Sequence, residues 1–130
     1  INNLMRSGKY SGKKQYCAKS LEDAFDIMNS KSGVNPLQKF IDAITEAAPC
    51  EETTRVRIGA VSQPKAVDSS RRLDLALRNL AIGAASATMK SKKSLTEGII
   101  SEISKASEGD VNSFAVGKRH EVERIAASAR

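Results

Sequence analysis

Aromatic residues are scarce in this sequence: tryptophan is absent, and only three phenylalanines and two tyrosines occur among 130 residues. A core must therefore be built mainly from Leu, Ile, Val, Met and Ala. Such a composition favours packed helices, because Ala and Leu have high helix propensities. The chain also has the length of one domain that can bury most of its apolar surface. We therefore predict a single helical domain spanning residues 1–130.

Residue types that serve catalysis and metal binding are equally few. His120 is the only histidine, and its charged surroundings indicate a solvated helix face. Cys17 and Cys50 lack the paired spacing of a zinc site, so we expect reduced thiols. No nucleophile stands in a pattern that marks a neighbouring general base. The sequence predicts no catalytic residue, no metal site, no cofactor and no small-molecule substrate, and hence no enzyme.

Long apolar runs and a signal-peptide pattern are also absent, which predicts a cytoplasmic protein without a membrane span. The segment 7–14 places Gly8 and Gly12 close to lysines, but it lacks the glycine spacing of a nucleotide-triphosphate loop. We interpret this segment as a basic connection whose lysines and backbone N–H groups can meet a nucleic-acid backbone.

Positive charge is abundant and unevenly distributed. The net charge is +6, but residues 1–20 carry five bases and no acid, whereas residues 21–52 carry two bases and seven acids. Residues 53–93 carry nine bases and two acids, and residues 94–130 five bases and six acids. A charge that served solubility alone would be spread more evenly. The two basic segments therefore indicate a polyanionic partner.

The basic segment 53–93 is the strongest candidate for an anion-binding surface. A cluster of one sign repels itself unless an anion compensates it, and two adjacent arginines at a helix start oppose the helix macrodipole. No aromatic residue lies in this segment, so it indicates contacts to phosphates and RNA shape rather than base stacking. Its bases are Arg55, Arg57, Lys65, Arg71, Arg72, Arg78, Lys90, Lys92 and Lys93.

Apolar residues recur every three or four positions in five segments, which predicts helices over residues 13–31, 36–48, 69–90, 94–106 and 113–128. Gly33 is expected to end the first helix, Ser69 and Ser70 to cap the third, and Ser94 with Glu97 to form a capping box. The residues predicted to face the core include Cys17, Leu21, Ala24, Phe25, Met28, Leu37, Phe40, Ile41, Ile44, Leu73, Ala76, Leu80, Ala84, Leu95, Ile99, Ile103, Ala106, Phe114, Val122, Ile125 and Ala126.

Between residues 53 and 68 the apolar period changes to two, which predicts a β-hairpin with Gly59 near its turn. The acidic residues Glu51 and Glu52 just before it are expected at a turn or paired with nearby arginines.

An alternative function is that of a DNA-binding regulator, in which the two helices around Gly33–Pro36 form a helix-turn-helix. The strongly acidic charge of residues 21–52 is unsuited to a DNA groove.

Three sequence blocks resemble one known family, the universal seventh protein of the small ribosomal subunit in its archaeal and eukaryotic form. They are Asn35-Pro36-Leu37-Gln38, Glu51-Glu52-Thr53-Thr54-Arg55 and Arg71-Arg72-Leu73-Asp74, and they occur in this order. The resemblance runs nearly end to end. Further matching blocks are Leu4-Met5-Arg6, Gly12-Lys13-Lys14, Ala66-Val67-Asp68 and Glu121-Val122-Glu123-Arg124-Ile125-Ala126.

The resemblance implies a mainly α fold, a bundle of about six helices with one protruding β-hairpin, bound to the 3′ major (head) domain of small-subunit rRNA. It implies help in head assembly, contacts with neighbouring head proteins, and a hairpin near the mRNA exit path and exit-site tRNA. By this resemblance Arg55, Arg57 and Lys65 belong to the hairpin. The expected rRNA-binding residues are Lys9, Lys13, Lys14, Arg71, Arg72 and Arg78, to which charge alone adds Lys90, Lys92 and Lys93.

Overall fold

The fold is a helical bundle with one β-hairpin inserted between its second and third helices. The computed structural model describes residues 1–6, 8–33, 35–55, 62–89 and 91–129. Two 3₁₀ turns, Leu4–Arg6 and Gly8–Tyr10, precede the first helix. The elements that follow are α1 (Lys14–Ser32), α2 (Pro36–Ala47), β1 (Glu51–Arg55), β2 (Ser62–Ala66), α3 (Ser69–Ser86), α4 (Leu95–Ser107) and α5 (Phe114–Ser128). The predicted mainly α fold with one hairpin is confirmed, with five α-helices in the described ranges.

Most helix ends follow from local signals in the sequence. Gly33 ends α1 with a left-handed φ of 65°, and its N–H donates to the Asn29 carbonyl. Asn35 accepts a hydrogen bond from the Leu37 N–H and so caps α2, whose first residue is Pro36. Ser94 accepts from the Glu97 N–H at the start of α4, which is one of the two hydrogen bonds of the predicted capping box. The residues that determine these helix ends therefore lie within a few residues of the ends themselves.

The start of α3 differs from the prediction. The N-cap position is Asp68, and Ser69 and Ser70 already lie inside the helix. The Asp68 side chain makes no capping hydrogen bond, so the first turn is not stabilised by a side-chain acceptor. Strand β2 ends only three residues before α3 begins, so the hairpin and α3 are directly coupled.

Helix α4 lies at the centre of the bundle and packs against α1, α2 and α3. Its predicted apolar stripe is buried, as are Cys17, Ala24 and Met28 of α1. Leu21, Phe25, Phe40 and Ile44 pack partly buried against this core. Many buried positions of the neighbouring helices are alanines, which allow close approach of the helix backbones. The buried alanines are Ala43 and Ala47 of α2, and Ala76, Ala84 and Ala85 of α3.

The buried face of α2 matches the predicted apolar stripe only in part: Phe40 and Ile44 pack against the core, but Leu37 and Ile41 do not. Leu37 and Ile41 are exposed at 55% and 48%, while Ala43 and Ala47 are fully buried. At 100° per residue, Ile41 points roughly 160° away from Ala43, so the two cannot share one buried face. The small side chains face the bundle because they let the helix axes come closer together.

The same correction applies to single large residues of α3 and α5. Leu73, Phe114 and Ile125 were predicted to face the core, and all three are exposed. Helix α5 instead buries Ala115, Val116 and Ala126. Helix α5 packs against α3 and the hairpin. The 3.6-residue period therefore predicted the helices correctly and these orientations wrongly.

The hairpin consists of two antiparallel strands in which Glu51 pairs with Ala66 and Arg55 with Ser62. The hairpin therefore begins and ends two residues before the predicted span of about residues 53–68. Glu51 and Glu52 lie in β1 rather than at a turn. Part of the predicted hairpin lies outside the described residues. This part contains the predicted strand residues Val56, Ile58 and Val61 and the predicted turn at Gly59.

The two cysteines lie in different environments: Cys17 is buried in α1 and Cys50 is exposed before β1, and neither forms a disulfide. Burial raises the pKa of the Cys17 thiol above its ordinary value, which disfavours the reactive thiolate.

In the part of the chain that the structure describes, no helix has the length and apolarity that crossing a membrane requires. Within the same ranges, no three His, Cys, Asp or Glu side chains are grouped so that they could hold a metal ion.

Candidate nucleic-acid interface

The basic segment 53–93 does not form one surface, because helix α3 separates its two ends. Arg71 and Arg72 lie in the first turn of α3, whereas Lys92 and Lys93 follow its last turn. Eighteen residues of α-helix extend for about 27 Å. The predicted anion-binding residues therefore divide into a set at the hairpin and a set at the opposite end of the bundle.

At the far end of α3 a basic groove forms between three segments of the chain. Its volume is about 350 Å³. It brings the basic N-terminal segment beside the basic end of segment 53–93, which are about 80 residues apart in the sequence. We call it the lysine groove, and it is lined by Lys9, Tyr10, Lys13, Tyr16, Lys93, Ser94 and Leu95.

Hydrogen bonds to Thr88 hold the N-terminal segment against the end of α3. Thr88 is 1% exposed, and its hydroxyl donates to the Ala85 carbonyl at 2.7 Å. The hydroxyl oxygens of Tyr10 and Thr88 are 2.9 Å apart, so Tyr10 is the donor of this second bond. Lys9 Nζ donates to the Thr88 carbonyl at 3.3 Å. Tyr10 and Lys9 are therefore anchored to the bundle, which fixes one wall of the groove.

Tyr16 was not among the predicted site residues, yet it lies in the groove with Lys13 and Lys93. Its side chain is 50% exposed. Its ring lies nearly parallel to the buried ring of Tyr10, with centroids 6.0 Å apart and planes at 12°. The prediction against base stacking considered only residues 53–93. The alternation of tyrosines with lysines in residues 9–16 is the sequence signal that could have identified this residue.

The electrostatic field of the lysine groove is positive. Lys9, Lys13 and Lys93 are exposed, and no carboxylate lines this groove. Helix α1 starts at its edge with no acid in the first turn and no side-chain cap, so its positive end adds to the field. The first turn of α4 carries Glu97, which partly offsets the charge on that side. This arrangement attracts anions.

At the opposite end of α3, Arg71 and Arg72 contact the protein itself. Arg71 forms a bidentate pair with Glu52 of β1, with N–O distances of 2.6 and 2.9 Å. The hydrogen bond and charge of Glu52 raise the pKa of Arg71, which therefore stays fully protonated. Arg72 Nε donates to the Pro49 carbonyl at 3.2 Å. Both residues connect α3 to the base of the hairpin, and their predicted contact with rRNA stays a prediction.

Helix α5 contacts the hairpin base from the other side. The Cys50 N–H donates to Glu123 Oε1 at 3.0 Å. Arg119 donates to the Glu46 carbonyl at 2.8 Å near the end of α2. The Val67 N–H donates to the Cys50 carbonyl, which extends the strand pairing toward α3. The hairpin therefore emerges from a base that is held by both α3 and α5.

We expect the Arg71–Glu52 pair to set the orientation of the hairpin. Arg71→Glu or Glu52→Arg alone places like charges together and leaves one side chain without its bidentate partner. Hydrogen exchange of the amides in residues 51–55 and 62–66 should then become faster, with the helical circular dichroism unchanged. The double variant that exchanges the two charges should recover part of the protection. Unchanged exchange in both single variants would show that the pair does not position the hairpin.

The remaining predicted residues lie at scattered places. Lys14 and Lys92 are exposed close in sequence to groove residues, Lys65 is exposed on β2, and Arg78 is half-buried in the middle of α3. The backbone of Arg55 pairs with Ser62, and its side chain is outside the described part of the structure, as are Arg57 and Lys90. The structure therefore brings together Lys9, Lys13 and Lys93 of the predicted set, and separates them from Arg71 and Arg72.

The surface of α2 does not suit a DNA-recognition helix. Its exposed side chains are Leu37, Gln38, Ile41, Asp42 and Thr45; none of them is basic, and the one amide, Gln38, donates to the Asp42 carboxylate. A recognition helix needs basic or amide side chains directed at phosphates and base edges. The helix-turn-helix alternative therefore finds no support in the geometry of α1 and α2.

Comparison with known proteins agrees with the motifs of the sequence. A family model described as ribosomal protein S7p/S5e matches residues 1–130. The small ribosomal subunit protein uS7 of Thermoplasma volcanium is 50% identical, over all of this chain and 72% of that protein. Those of Picrophilus torridus and Archaeoglobus fulgidus are 49% and 47% identical over all of this chain, and over 71% and 68% of their own lengths. The chain therefore belongs to the ribosomal protein S7p/S5e family.

Proposed function

We propose that this protein is a structural constituent of the small ribosomal subunit that binds the 3′ major domain of its rRNA and performs no chemical reaction. The observation that carries this proposal is the lysine groove, in which two distant basic segments meet without a lining carboxylate. The names of the relatives, small ribosomal subunit proteins, supply the ribosomal context. The expected location is the small subunit in the cytoplasm.

The binding mechanism is the release of counterions from RNA phosphates by lysines and arginines. Lys13, Lys14, Lys92 and Lys93 are exposed and form no ion pair with any described residue. Their charges are therefore available to phosphates without breaking a bond inside the protein. Arg71 differs, because an RNA phosphate would have to compete with the Glu52 carboxylate.

The hairpin has a separate role in this proposal. We assign Arg55, Arg57 and Lys65 to an arm directed toward the mRNA exit path and the exit-site tRNA, with head proteins as further neighbours. The support is the anchored base of the hairpin: Glu52, Pro49 and Cys50 are held by α3 and α5. A held base lets a two-stranded arm keep its direction, which an isolated hairpin in water does not do.

The test is a binding titration of the protein with a transcript of the 3′ major domain, repeated at several salt concentrations. We expect the logarithm of the association constant to fall linearly with the logarithm of the salt concentration. Each neutralised phosphate should contribute about 0.7 to 0.9 to the magnitude of this slope, so the four free lysines alone should contribute roughly 3. A transcript of the 5′ domain and a duplex DNA of equal length are the controls. Equal affinity for all three, or an affinity that salt hardly changes, would contradict the proposal.

A further inference from the structure

We infer that the lysine groove holds one unpaired RNA nucleotide, with its base stacked on Tyr16 and its flanking phosphates at Lys13 and Lys93. This inference rests on the proposed rRNA binding and adds to it the kind of nucleotide that is recognised. The residues that carry it come from the start of α1 and from the connection between α3 and α4.

The size of the groove fits a single nucleotide. A volume of about 350 Å³ is at the lower end of the range for sites that take small molecules. An RNA helix is recognised across a wide, shallow minor groove and does not enter such a site, whereas an unpaired nucleotide can turn its base out of the strand. The groove therefore fits a loop, bulge or strand end rather than a duplex.

Tyr16 has the environment of a stacking platform. Half of its side chain is open to solvent, while the neighbouring Tyr10 ring is buried and hydrogen-bonded to Thr88. The parallel contact with Tyr10 supports the Tyr16 ring from the protein side, so little side-chain freedom is left to lose when a base stacks. Stacking on an aromatic ring accepts any base, because each base has a π-face.

Two lysines supply the phosphate contacts of the nucleotide in this inference. Lys13 and Lys93 line the same groove as Tyr16, but they belong to segments about 80 residues apart in the chain. Lys9 is less free, because it donates to the Thr88 carbonyl and lies 5.6 Å from the centroid of the Tyr10 ring. Lys13 and Lys93 are therefore the phosphate contacts, and Lys9 positions the tyrosine pair.

The absence of tryptophan permits a direct test with fluorescence. A Tyr16→Trp variant contains a single tryptophan, and stacking of a base on it quenches its emission. Phe114→Trp on α5 is the control, since Phe114 is similarly exposed at 42% and does not line the groove. We titrate both variants with the 3′ major domain transcript. Strong quenching is expected for Tyr16→Trp and little for Phe114→Trp.

Affinity measurements separate stacking from charge. Tyr16→Ala should weaken binding of the transcript on the order of tenfold and leave the salt dependence unchanged, because no charge is lost. Tyr16→Phe keeps the ring and should bind as the original protein does. Circular dichroism of each variant checks that the helical fold is retained.

The outcomes distinguish this inference from the proposed function. If Tyr16→Trp binds the transcript with no more quenching than Phe114→Trp, and Tyr16→Ala binds normally, the groove contacts phosphates only and the inference is wrong. If Tyr16→Trp is quenched equally by a fully paired RNA duplex, an unpaired nucleotide is not what the groove selects. If the unmodified protein itself does not bind the transcript, the proposed function fails before the groove is in question.

Discussion

Gly98→Ala is expected to lower the thermal unfolding midpoint of this protein by roughly 8 °C. A Cβ atom at Gly98 would lie 2.5 Å from the Ala84 carbonyl oxygen, so α3 and α4 would have to move apart. Overpacking of this kind lowers the free energy of unfolding by up to about 3 kcal/mol, whereas the higher helix propensity of Ala raises it by about 1 kcal/mol. For a chain of this length each kcal/mol changes the midpoint by about 4 °C, as a calorimetric scan would measure.

The matched control is Gly117→Ala in α5. A Cβ atom there would meet only the Val111 carbonyl oxygen at 3.4 Å, which is an ordinary contact distance. No overpacking then opposes the gain in helix propensity, and the unfolding midpoint should rise by up to about 4 °C. The same chemical change thus has opposite expected signs at two helical glycines. A midpoint for Gly98→Ala equal to or above that of the original protein would show that α3 and α4 are not in close contact.

The second large effect concerns RNA. The double variant Lys13→Ala with Lys93→Ala is expected to weaken binding of the 3′ major domain transcript on the order of 10- to 50-fold near 0.1 M salt. It should also reduce the slope of log K against log salt by about 1.5, since two phosphate contacts are lost. Both side chains are exposed and unpaired among the described residues, so the fold should be unaffected.

The control removes the same charge at two other exposed lysines. Lys31 and Lys105 lie in the last turns of α1 and α4, form no ion pair with any described residue and do not line the lysine groove. The double variant Lys31→Ala with Lys105→Ala has the same net charge as the groove variant. Equal losses of affinity in the two double variants would mean that overall charge governs binding and that the groove has no special role.

These two predictions concern connected parts of the molecule. A Cβ atom at Gly98 would also lie 3.3 Å from the Thr88 side chain. The Thr88 hydroxyl holds Tyr10, and the Thr88 carbonyl holds Lys9. Gly98→Ala should therefore weaken RNA binding as well as lower stability. The groove depends on the close packing of α3 and α4 because Thr88, just after α3, anchors the N-terminal segment, while Lys93, Ser94 and Leu95 before and at the start of α4 form the opposite wall.

Local features of the fold could be predicted from the sequence because their causes are local. Gly33, Asn35 and Ser94 act on backbone groups within four residues of themselves, so the positions of these helix ends follow from short patterns. The central helix α4 was predicted correctly because its apolar stripe is buried on several sides. The hairpin was predicted from the change of the apolar period. The pairing of Glu52 with an arginine was one of the two arrangements expected for that residue.

Orientation and assembly could not be predicted in this way. Which face of α2 is buried depends on how closely another helix can approach, and Ala43 and Ala47 permit a closer approach than Leu37 and Ile41. The pairing of Arg71 with Glu52 similarly depends on β1 lying beside α3. A single sequence carries no direct record of such neighbours, since the residues involved are not adjacent in the chain.

By itself the sequence determined the family, the helical class of the fold and the presence of two basic segments. Only the tertiary structure decided how the residues of those segments are arranged. Helix α3 is too long for its two ends to share one surface, so Arg71 and Arg72 contact the hairpin while Lys93 joins Lys13 and Tyr16 in the lysine groove. Charge is a property of each residue alone, whereas a binding site depends on the distances between residues that only packing sets.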